Sequence, residues 1–152
     1  MVAGEIYAMK YIILLLLAVC ALAFRPDVEN KTYVSIKGSR QGQLKGTRGR
    51  ELEGWFEIKG FEFKAETPGV KTTASGKRKY GALTIKKQAD AASPKLLEAL
   101  NTRETLEVMI QTVDDNNKMI KNITLKNALV TGIYHDDWEN VAFEYTEIVT
   151  TP

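Results

Sequence analysis

His135, the single histidine of this chain, is followed directly by Asp136 and Asp137. An imidazole beside two carboxylates has the donor types of a zinc site or of an acid–base pair. A metal needs three or four donors that converge on one point. Consecutive turn residues diverge instead, so the run reads as a polar hairpin tip. Asp114-Asp115-Asn116-Asn117 offers calcium-binding oxygen types but lacks the central glycine and distal glutamate of a calcium loop. A hairpin turn is expected there too. Gly38, Gly42, Gly46 and Gly49 alternate with Arg40, Lys45, Arg48 and Arg50. A phosphate cradle would need Gly-Lys-Ser/Thr at a fixed distance, and none follows. That segment reads as a long surface loop. Cys20 is the one cysteine and lies inside an apolar run, so removal of that run leaves no thiol nucleophile. The residue types therefore argue against an enzyme, a metal site or a cofactor site.

Bulk properties narrow the class further. The chain has 152 residues, enough for one domain with its own core. Lys plus Arg number 21 against 19 Asp plus Glu, a net charge of +2. Such balance does not suggest a nucleic-acid partner. Near the N-terminus, Met9-Lys10 precedes the apolar run from Tyr11 to Ala23, which ends in Ala21-Leu22-Ala23. A cation, an apolar stretch and a small-x-small end form the pattern of an export signal cleaved after Ala23. The run is short for the ~20 residues that a spanning helix needs. The expected organisation is a leader over residues 1–23 and one domain over residues 24–152. Export to the periplasm or the medium is then expected; without cleavage, the chain starts in the cytoplasm. Asn30-Lys31-Thr32 and Asn122-Ile123-Thr124 are glycosylation sequons that matter only in a host that glycosylates exported proteins.

The elements that would position these groups are mostly strands. Residues 31–37 alternate, with Val34 and Ile36 on one side and Tyr33, Ser35 and Lys37 on the other. Residues 51–66 hold two runs, with Gly60 marking a bend rather than a reversal. Trp55, Phe56, Phe61 and Phe63 are expected in the core. Residues 79–87 place Leu83 and Ile85 on one face. Ser93 is a suitable N-cap and Pro94 suits the first turn. A short helix is expected with Leu96, Leu97 and Leu100 as its apolar stripe and Asn101 at its end. Residues 105–113, 119–125 and 138–149 read as further strands, and residues 127–134 either continue the strand before them or begin another. Trp138 is either an interface aromatic or a cover for the barrel's end. Seven or eight strands with one helix and no βαβ alternation point to an all-β fold, a compact antiparallel barrel or two packed sheets.

Four stretches, taken in order, resemble the Hcp family, the tube protein of the bacterial type VI secretion system. They are residues 33–38 with Gln41-Gly42, residues 77–100, residues 123–131 and residues 140–145. The resemblance spans about residues 31–150. It implies a β-barrel of two sheets with a helix on one side, six copies to a ring, and rings stacked into a hollow tube. Effector proteins in the lumen and a spike protein at the end are the implied partners. The N-terminal leader departs from the family, whose members normally carry no cleavable signal.

The loop Thr67-Pro68-Gly69-Val70-Lys71-Thr72-Thr73-Ala74-Ser75-Gly76-Lys77-Arg78 is long for a compact domain and bounded by turn residues. In the family the matching loop reaches a neighbouring subunit or ring, so these twelve residues are the expected inter-subunit contact. The competing expectation is a secreted monomeric β-sandwich that binds a ligand through a concave patch.

Overall fold

In the computed structural model, residues 4–5, 7–13, 29–46, 54–63 and 81–152 are described. Residues 7–13, which lead into the apolar N-terminal run and include its first three residues, are helical and exposed. Among the described residues no helix is long and apolar enough to cross a membrane. The rest of the proposed leader, and its cleavage point, lie outside the described residues.

Nine strands and one further helix follow among the described residues. β1 (Lys31–Gly38) turns sharply through residues 39–41 into β2 (Gly42–Gln43). The long loop expected over residues 38–49 is thus in part a tight hairpin. Leu44 follows it into the core and is fully buried, its N–H bonded to the Ile36 carbonyl at 2.9 Å. One apolar residue in a glycine-rich stretch was too little pattern to mark a strand.

β1 pairs antiparallel with β3 (Trp55–Ile58) on one side and β6 (Leu106–Val113) on the other. β6 pairs with β7 (Met119–His135), a single 17-residue strand where the sequence left open one strand or two. β7 serves two sheets. Asn122 to Lys126 pair with β9 (Glu147–Thr151), and Leu129 to His135 pair with β8 (Glu139–Glu144). Asn127, in the left-handed region at φ 50°, marks the corner, and the β6–β7 register shifts beside it. β8 pairs with β5 (Leu83–Lys87), which pairs with β4 (Gly60–Phe63).

Closure comes from a second corner. β3 belongs to the β1 sheet and β4 to the β5 sheet, and only Lys59 separates them. The Lys59 N–H donates to the Lys86 carbonyl at 2.7 Å, holding the bend against β5. Gly60 thus sits at a bend, as its sequence context suggested. The run over residues 138–149 is likewise one path along β7 broken at Tyr145 and Thr146, because β7 itself turns there. The result is an antiparallel barrel of two sheets, as the alternation predicted.

The core is the inward row of each strand. Val34, Phe56, Ile110 and Ile123 stand opposite one another across β1, β3, β6 and β7, and Ile36, Val108 and Leu125 form the next row. Leu83, Ile85, Val141 and Phe143 face them from the other sheet. Each such fully buried side chain contributes about 1.5–3 kcal/mol relative to exposure. Of the expected core aromatics, Phe56 is fully buried, Trp55 and Phe61 are half-buried, and Phe63 is 44% exposed. Phe63 points inward, but it lies at the end of β4.

The helix Ser93–Thr102 packs on β7. Its stripe differs from the expected one. Leu96 and Ala99 are buried and Leu100 is half-buried, while Leu97 is 50% exposed. The spacing from Ala92 through Leu96 and Ala99 to Leu100 sets the buried face, and Leu97 lies beyond its edge. Asn101 does not end the helix. Arg103 does, with φ 51° and its N–H bonded to the Leu100 carbonyl, followed by Glu104 N–H to the Ala99 carbonyl at 3.0 Å.

Candidate assembly surface

Two polar constellations hold the helix in place. The first surrounds Lys87, whose side chain is essentially inaccessible. Strand alternation puts it on the same inward side as Leu83 and Ile85. Its Nζ donates to Glu139 Oε1 at 3.0 Å, Ser93 Oγ at 3.1 Å and the Gln88 carbonyl at 2.7 Å, and lies 2.8 Å from Asp90 Oδ1. The Phe56 ring lies 5.9 Å away. Glu139, also buried, enters from β8 opposite Lys87 in the β5–β8 ladder. Ser93 donates to Glu139 at 2.9 Å and accepts the Asp90 N–H at 3.0 Å. The N-cap residue is Ala92, not Ser93, because the Ser93 hydroxyl is drawn into this buried network. Pro94 occupies the first turn as expected.

The second constellation centres on buried Glu104, just past the helix. Oε1 accepts the backbone N–H of Arg40 at 2.6 Å and of Gln41 at 2.8 Å, and Oε2 accepts Gln41 Nε2 at 2.8 Å. Burial works to raise its carboxyl. The Gln41 backbone and side-chain bonds, the Arg40 backbone bond and the Arg40 charge outweigh it and hold the group below the usual carboxylate range. Arg40 also reaches the Thr102 carbonyl at 3.2 Å, and Gln41 the Lys95 carbonyl at 3.1 Å. The β1–β2 turn is thereby fastened to both ends of the helix. A Cβ on Gly38 would stand 2.5 Å from Glu104 Oε1, so the turn approaches as closely as only glycine allows.

Both constellations are structural. His135, Asp136 and Asp137 sit at the β7–β8 turn. Asp136 accepts the Trp138 N–H at 2.7 Å, and that bond first of all lowers its carboxyl. Asp114 accepts the N–H groups of Asn116 and Lys118, each at 2.9 Å, which closes the β6–β7 hairpin. Among the described residues no group of three or more His, Cys, Asp or Glu could hold a metal.

The surfaces that remain are edges and ends. Among the described residues β4 pairs with β5 alone, β9 with β7 alone and β2 with β1 alone. Across the outer face of the β1 sheet run Trp55, Ser35, Met109, Thr124 and Val149, a row without charge. The loop Thr67–Arg78 lies outside the described residues. Its two attachment points are described: the chain leaves at Phe63 and returns by Leu83, paired neighbours at one end of the β4–β5 hairpin. At the other end of that hairpin is an open cleft of about 280 Å³, bounded by Glu29, Lys31, Glu57, Lys59, Asp90 and Trp138, among others. Sequence reasoning missed Lys87, Glu139 and Glu104. Lys87 and Glu139 each continue the parity of an apolar face, Leu83 and Ile85 or Val141 and Phe143, and that is the signal by which they were legible.

The fold is an antiparallel two-sheet β-barrel whose buried polar networks hold its own helix. The family model for the type VI secretion system effector Hcp matches residues 32–151. No curated protein matches the chain. Among solved structures it is similar to a double mutant of Hcp1 from the E. coli EAEC 042 pathovar, at 21% identity and TM-score 0.63, covering 80% of this chain and 96% of that one. It is similar to the secreted protein Hcp3 from Pseudomonas aeruginosa, at 24% identity and TM-score 0.64, covering 81% and 90%. Hcp1 from Salmonella typhimurium aligns at 13% identity and TM-score 0.61, covering 79% and 85%. The chain belongs to the Hcp family of the type VI secretion system, a family of structural tube proteins rather than of enzymes.

Proposed function

We propose that this chain assembles into closed rings, six copies to a ring, which stack into a hollow tube that carries effector proteins and meets a spike protein at its end. The observation that carries the reading is the family match over residues 32–151, essentially all of the folded barrel. The geometry supports it. A ring needs heterologous contacts that return on themselves, and stacking needs different contacts at the two ring faces. Among the described residues β2, β4 and β9 are paired on one side only, and such strand edges can pair with a neighbouring copy. The loop Thr67–Arg78 leaves from one end of the barrel and supplies the contact between copies. Electron microscopy of the purified chain tests this: rings and stacks are expected, and isolated particles of monomer size would contradict it.

Residues 1–23 act as an export leader in this reading, and the domain over residues 24–152 assembles outside the cytoplasm. The motivating pattern is Lys10, the apolar run and Ala21-Leu22-Ala23. Mass spectrometry of the mature N-terminus is expected to find Phe24 first. An intact Met1 or Met9 would remove the export claim.

A further inference from the structure

We propose that the open cleft between the start of β1, the β3–β4 corner and the β7–β8 turn is a binding site for a neutral saccharide. The site stands on a single chain and is independent of the stacked-ring reading. Its volume is about 280 Å³, near the lower end of the range of ordinary small-molecule pockets. The first support is the balance of charge. Two carboxylates, Glu29 and Glu57, and two ammonium groups, Lys31 and Lys59, border the cleft, and all four residues are exposed. None of the four lies in an ion pair with another described residue. Asp90, the remaining acid of the lining, is already bonded to Lys87 at 2.8 Å. An anion entering the cleft meets two carboxylates, and a cation meets two ammonium groups, so the field favours neither sign. A neutral ligand rich in hydroxyls finds acceptors in the carboxylates and donors in the lysines and in the side-chain amides of Asn30 and Gln88.

The second support is the aromatic wall. Trp138 lines the cleft and is half-buried. Its backbone is fixed on both sides. The Trp138 N–H donates to Asp136 Oδ1 at 2.7 Å, and its carbonyl accepts Asn140 Nδ2 and the Asp136 N–H, each at 3.1 Å. The Lys59 ammonium lies 5.9 Å from the centre of the ring and adds a further restraint. A fixed indole in the wall of a polar cleft joins an apolar plane to a donor N–H at its edge. A pyranose ring has the matching form: a C–H face that packs on the indole and equatorial hydroxyls that point at the polar rim. Charge balance excludes a preference for ions, and the indole selects a flat ring among the neutral ligands.

The test uses the full chain with Trp55→Phe as background, which leaves Trp138 as the sole indole. Tryptophan emission is followed during titration with chitohexaose and with cellohexaose, both neutral. A fully deacetylated chitosan hexamer and a polygalacturonate hexamer are the cationic and anionic comparators. The expected result is a saturable change with at least one neutral hexamer and weaker binding of both charged ones. In calorimetry with the wild-type chain as reference, Trp138→Ala should weaken binding about tenfold. Glu57→Ala, at an exposed strand position, is the second variant; it should also weaken binding with the circular dichroism spectrum unchanged, which covers the case in which Trp138→Ala does not fold. No saturation with either neutral hexamer, tighter binding of a charged one, or unchanged affinity in the folded variants would overturn the site. Native mass measured on the same samples reports assembly separately, so a chain that binds saccharide without forming rings defeats the ring reading and not this one.

Discussion

Lys87 is the residue on which most of the polar interior depends. It bonds to groups from β8, from the helix start and from its own connection. Replacing it with alanine leaves Glu139 buried without its cation. Removing one partner of a buried pair costs about 3–5 kcal/mol, so Lys87→Ala should lower the unfolding free energy by that order in a denaturant titration. Glu104 makes a pH claim. Its folded pKa is depressed, so its contribution is present above the unfolded carboxylate value and is lost as pH falls through the lower folded value. Glu104→Gln should reduce stability at neutral pH by about 1–3 kcal/mol and flatten the acid limb of the stability curve. An unchanged acid limb would mean that the β1–β2 turn does not depend on the charge. Glu104 does not announce itself in the sequence, because its partners Arg40 and Gln41 lie more than sixty positions away. Lys87 and Glu139 are more than fifty positions apart, and alternation gives only the face, not the neighbour.

At the scale of elements, two corners close the barrel. One is Lys59-Gly60, legible because a glycine interrupts two aromatic runs. The other is Asn127, at the point where the sequence leaves open whether one strand continues or another begins. Its φ of 50° favours glycine or asparagine, and its Nδ2 bonds Thr146 Oγ1 at 3.0 Å across the bend. Asn127→Gly should therefore be nearly neutral, whereas Asn127→Val should cost about 1–2 kcal/mol, read as a drop in Tm. Equal effects of the two would remove the corner from its assigned place. The strand faces over β1, β5 and β6 follow directly from the sequence, since period-two alternation fixes which residues go inward. The helix was legible in existence but not in detail. Ser93 has cap chemistry, yet a buried lysine and glutamate compete for its hydroxyl and win.

For the whole molecule, the central claim is that one closed barrel is built to meet copies of itself. The barrel was readable from strand count and the single helix. The expectation of assembly comes only through resemblance, because composition does not separate a contact surface from a solvated one: Leu97, Tyr134 and Val149 are exposed in the single chain, and nothing in their types says whether a neighbour covers them. The most direct measurement is the native mass of the purified mature chain across a concentration series. The account expects a discrete species several times the 17.0 kDa of the full chain, six copies by the family reading, with larger multiples as concentration rises. A species that remains monomeric at the highest concentration reached would contradict it.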